Sequence, residues 1–82
     1  MERPTWLQEE KITISLDARP IIAAGEHPLD RVMQESETLN SGEIFEIITP
    51  FPPMPMIGKM QAAGFETFSE QTEGIYHTYF KK

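Results

Sequence analysis

Polar and apolar residues alternate from Lys11 to Ala18, with Ile12, Ile14 and Leu16 on one side and Thr13, Ser15 and Asp17 on the other. That period of two predicts a half-buried strand. Beyond it, the stretch from Arg19 to His27 keeps an apolar centre, Ile21 to Ala24, which predicts a loop that covers part of the core. The period then changes. Leu29, Val32, Met33 and Ser36 recur at helical spacing, while Asp30, Arg31, Gln34, Glu35 and Glu37 lie outside the stripe. A residue before proline is pushed out of the helical region and proline suits a first helical turn, so His27 is expected as the N-cap, followed by Pro28. Asn40-Ser41-Gly42 ends the helix. In the strand that follows, Phe45 and Ile47 oppose Ile44, Glu46 and Ile48, and its two partly apolar faces suit an inner position.

Prolines at 50, 52, 53 and 55 can neither pair within a central strand nor continue a helix, so they predict a loop. Pro55 then opens a second helix with Met56, Ile57, Met60 and Ala63 as its stripe and Gly64 as its cap. Aromatic and β-branched residues on both sides of Thr72-Glu73-Gly74 predict a closing hairpin. The fold class is therefore α/β (α+β), in the order βαβαββ. Residues 1–10 lack any period and read as an N-terminal tail, with Trp6 able to dock on the domain formed by residues 11–82.

At 82 residues the chain has room for one modest core. It contains no cysteine, which excludes disulfides, thiolate metal sites, thiol catalysis and persulfide carriage by inventory. A net charge of -6 argues against nucleic acid or an anionic membrane as the natural partner, and leaves a basic protein partner open. Neither a bilayer-length apolar run nor the basic-then-apolar plan of a signal peptide is present, so a cytoplasmic location is expected.

His27 carries the sharpest chemical question. At a helix N-terminus an imidazole can meet a ligand group, a proton or a metal, but capping by the side chain is the favoured expectation. Glu26 beside it becomes an acid/base partner only if a pocket adjoins the two. Met54, Met56 and Met60 offer soft thioethers suited to Cu(I), yet Met56 and Met60 are also the means by which their helix buries itself, and core packing is favoured. His77 shares a face with Ile75 and Tyr79 and is expected to be structural. Two histidines supply no multi-histidine metal site. Asp17 and Arg19 at the end of the first strand are expected to pair locally, the alternative being that Arg19 receives an anionic ligand or a partner's carboxylate.

Leu16-Asp17-Ala18-Arg19, Pro20, His27-Pro28 and Ser41-Gly42-Glu43, in this order within a βαβαββ plan, resemble the TusA/SirA-like superfamily of small sulfur carriers. The closer likeness is to its cysteine-less, uncharacterised "domain of unknown function" branch. The resemblance implies a two-layer sandwich, two helices on one face of a four-stranded mixed sheet. In the sulfur carriers the first loop reads Cys-Pro-x-Pro; aligning its second proline with Pro28 puts Gly25 where the cysteine stands. A second departure is Thr49-Pro50-Phe51-Pro52-Pro53-Met54, where that branch often has an acidic, histidine-containing segment.

The sulfur carriers that the chain resembles work by presenting this first loop and helix to other proteins, so the resemblance, without the sulfur-carrying residue, implies a non-enzymatic interaction module. The expected contact residues are Arg19, Ile21, Ile22, Glu26, His27 and Arg31, with acidic charge steering a basic partner. The alternative is a small-ligand or metal-binding regulator that uses His27 and the helix N-terminus. No catalytic constellation, cofactor or metal ligand set is expected, and the chain is expected to be a monomer or weak homodimer.

Overall fold

The computed structural model describes residues 2–82. A 3-10 turn, Glu9–Lys11, leads into β1 (Ile12–Asp17), α1 (Arg19–Ala23), α2 (Leu29–Glu37), β2 (Ile44–Thr49), α3 (Met54–Ala62), β3 (Glu66–Thr72) and β4 (Ile75–Lys81). The strands form one mixed sheet in the order β1-β2-β4-β3, with β1 and β2 parallel and the other neighbours antiparallel. Against one face pack Val32 of α2, Met56 and Met60 of α3, and half-buried Ile21 and Ile22 of α1. The two-layer sandwich is thus the observed architecture, with one helix more than the sequence predicts.

That extra helix is α1. The stretch with its apolar centre at Ile21 to Ala24, expected to be an irregular loop, is helical from Arg19 to Ala23 because three local features act together. Asp17 Oδ1 accepts the Arg19 backbone N–H at 3.1 Å, Pro20 sits in the first turn, and Gly25 closes the helix in the left-handed region at φ 81. Gly25 N–H donates to Ile22 C=O and Glu26 N–H to Ile21 C=O, the pairing of a Schellman cap. Gly64 closes α3 in the same way, through Gly64 to Gln61 and Phe65 to Met60.

β1 departs from its alternation. Ile12 pairs with Ile44 and Ile14 with Phe45, so two steps on β1 face one step on β2 and a bulge sits at Thr13. Ile14 and Leu16 therefore reach the helix side, while Ile12 joins Leu7, Ile44 and Tyr79 on the other face. The expectation that Ile12, Ile14 and Leu16 share one face is corrected by that extra residue. Ile44, expected on the face opposite Phe45 and Ile47, lies there and is fully buried because Trp6 and Leu7 pack over it. At the other end, the hairpin turns on Glu73 and Gly74, both with positive φ (53 and 78), as a two-residue type I′ turn requires.

Candidate functional site

α1, its glycine cap and the start of α2 form one wall of an open cavity of about 350 Å³. Ile22, Gly25, Glu26, His27 and Leu29 line this wall; Thr49, Phe51, Pro53, Pro55 and Met56 line the opposite one. The second wall is the proline loop. Its prolines hold residues 50–53 out of the sheet, and the Thr49 hydroxyl at the end of β2 donates to the Phe51 carbonyl at 2.6 Å, which tightens the chain as it leaves the strand. Phe51 stays 48 % exposed and Met54 64 % exposed, the two large apolar side chains left open among the described residues. A second hollow of about 310 Å³ lies on the far side of the loop, between Met54, Ile57 and Tyr76.

His27 is not the helix cap. Pro28 occupies that position, α2 begins at Leu29, and the cap makes no side-chain hydrogen bond. Glu26 and His27 instead form the polar edge of the cavity, which supplies the pocket that sequence reasoning required for the pair and did not have. Ile22 lines it too. Arg19, Ile21 and Arg31 do not. Arg19 donates through Nε (2.9 Å) and Nη2 (2.7 Å) to both oxygens of Asp17, and its guanidinium holds that carboxyl down at about 2. Arg31 donates to Glu35 one turn along α2 at 2.6 Å, and Ile21 packs against the core.

Sequence reasoning missed the second wall. Its signal was present as apolar residues set among prolines, since a loop that cannot join a sheet or helix leaves such side chains uncovered. The methionines separate by burial: Met56 and Met60 are in the core, whereas Met54 faces solvent. Among the described residues no group of three or more His, Asp and Glu side chains could hold a metal ion.

The sheet's outer face carries a polar network. His77 Nδ1–H donates to Glu46 Oε2 at 3.1 Å, and the Ser15 hydroxyl donates to Glu46 Oε1 at 2.8 Å. Beside them Arg3 donates to both oxygens of Glu70, a bond that holds this carboxyl below its usual range. The Arg3 guanidinium also lies 5.7 Å from the centre of the Tyr79 ring, which stacks on Phe68. Burial, followed by the neighbouring charges of Glu46 and Glu70, pushes the Tyr79 phenol up to about 12. His77 is thus tied into the fold on the face it shares with Ile75 and Tyr79.

The family described as "Uncharacterized conserved protein (DUF2249)" matches residues 15–82. The chain belongs to that family. No curated protein and no solved structure matches it.

Proposed function

Starting from that membership, we propose that the chain is a non-enzymatic protein-interaction module, related to the TusA/SirA-like sulfur carriers but without their cysteine. Its docking site is the cavity between the α1–α2 loop and the proline loop. The observation that carries this reading is an open, mainly apolar hollow of about 350 Å³, with Phe51 exposed beside it. Gly25 supports the loss of sulfur carriage. At φ 81 it serves the α1 cap, and a cysteine there would strain the backbone.

The partner is basic. Glu26 and Asp30 are exposed at this end of α2, while the nearby cations Arg19 and Arg31 are already paired with Asp17 and Glu35. A partner that inserts an apolar side chain flanked by Lys or Arg meets both the apolar floor and the acidic edge. The reading places the module in the cytoplasm as a monomer or weak homodimer. It assigns no catalysis, because the site has no nucleophile with a base and an orienting group.

The test is a photo-crosslinking residue at Phe51, with the same residue at Glu73 on the hairpin as the control, in extract from the source cell. A single basic protein captured from Phe51 alone, and lost when Ile22→Asp is added, is the expected result. Equal capture from both positions would end the proposal.

A second reading keeps His27 and Glu26 as polar contacts for a compact ligand, since both line a cavity of ligand size. Amide NMR shifts confined to residues 22–29 and 49–56 on addition of small amphiphilic amines would favour it over a protein partner.

A further inference from the structure

Residues 3–7 lie across the outer face of the sheet, on the side away from the helices. Their hold on it comes from side chains. Among the described residues the backbone hydrogen bonds of this segment stay local, Leu7 to Pro4 and Gln8 to Trp6, and none reaches the sheet. Arg3 binds the Glu70 carboxylate and covers the Tyr79 ring; Trp6 and Leu7 pack with Ile12, Ile44, Phe68 and Tyr79. The segment lies outside residues 15–82, the part of the chain that the family match covers.

The surface beneath has its own design. An outer sheet face in a two-layer sandwich normally presents polar residues to water. Here it presents Ile12, Ile44, Phe68 and Tyr79 beside two carboxylates, Glu46 and Glu70, so it is an apolar strip with an acidic margin. Covering it requires an apolar pair and a guanidinium at set spacing. Residues 3–7 supply both, with Arg3 three and four positions before Trp6 and Leu7.

We propose that residues 3–7 are an autoinhibitory strap, a built-in occupant of a docking face that otherwise receives a segment of another protein with the same turn and the same chemistry: an arginine followed three to four residues later by an aromatic–leucine pair. Ion pairing to Glu70 and cation–π contact with Tyr79 read the arginine; the strip around Ile44 reads the apolar pair. The strap competes with that segment from the same chain, at high effective concentration, so wild-type protein binds it weakly until the strap is displaced. The Arg3 and Glu70 side chains are 40 % and 21 % exposed, which leaves the anchor open to screening by salt. This surface is separate from the cavity of the proposed function, and either can fail without the other.

The experiment uses the full chain and a synthetic peptide of residues 2–8 as the probe. Two strap variants, Arg3→Ala and the double substitution Arg3→Glu with Leu7→Asp, are compared with wild type by amide NMR and by fluorescence of Trp6, the single tryptophan. Both variants are expected to keep a folded spectrum, to shift Trp6 emission to the red, and to bind the peptide at least tenfold more tightly than wild type. The peptide's shifts should centre on Ile44, Phe68 and Tyr79, and a peptide with Arg→Glu should not bind. Unfolding of both variants would make the strap an ordinary part of the core and overturn the proposal. So would folded variants that ignore the peptide, or a wild-type dimer whose Trp6 becomes exposed on dilution, since that would give the face to a second copy of the chain.

Discussion

Ile12 and Ile14, separated by one residue in the same strand, pack on opposite faces of the sheet. The bulge at Thr13 turns the strand, so Ile14 supports the helix layer and Ile12 supports the N-terminal strap. Charging each position separates the two roles. Ile14→Glu should lower the melting temperature sharply by putting a carboxylate against the main core, while Ile12→Glu should mainly release Trp6. Thermal melts beside Trp6 emission spectra check this; equal loss of stability with no difference in emission would contradict the division of faces.

The methionines offer a test of burial against residue type. Met60 is fully buried and Met54 is 64 % exposed. Met60→Ala should destabilise the fold by about 2–5 kcal/mol through lost contacts and the cavity it leaves. Met54→Ala should change stability by less than about 0.5 kcal/mol. Urea unfolding of the two variants measures both, and similar midpoints would place Met54 inside the core.

Asp17 and Arg19 set a pH dependence whose sign follows from the direction of the shift. The folded carboxyl titrates at about 2 against an ordinary 3.8, so its contribution to stability is complete above 3.8 and is lost as pH falls through about 2. Carbon NMR of the Asp17 carboxyl should find the low midpoint, and Arg19→Ala should return it toward the ordinary value. A wild-type midpoint near 3.8 would mean that the pair does not persist in solution.

His27 separates a cap from a rim residue. Since the α2 cap makes no side-chain bond, His27→Asn and His27→Ala should both leave stability within about 0.5 kcal/mol of wild type. A loss near 1 kcal/mol in the alanine variant alone, rescued by asparagine, would restore the capping role. Calorimetric melts decide between the two.

The elements were legible where their determinants are local. Val32 and Ser36 on α2, Met56 and Met60 on α3, and the Glu73-Gly74 turn lie where period and turn chemistry put them, because a few neighbouring residues fix each pattern. Gly64 was legible as a helix cap for the same reason. Gly25 does the same work in a stretch read as a loop, since Asp17, Pro20 and Gly25 make a helix only when taken together.

The chain by itself determined the order of the four strands and two of the helices, the identity of most core residues, the absence of thiol chemistry and the polar pair Glu26-His27, while the mixed-sheet sandwich was implied by the family resemblance. Tertiary structure alone decided that Thr13 bulges, because a bulge is defined by the partner strand that β1 meets. It also decided that the pair borders a cavity, since the two walls come from segments twenty or more residues apart whose approach is set by the parallel pairing of β1 and β2. The burial of Ile44 has the same origin: no local pattern records that Leu7, far from it in the chain, comes to rest on its face.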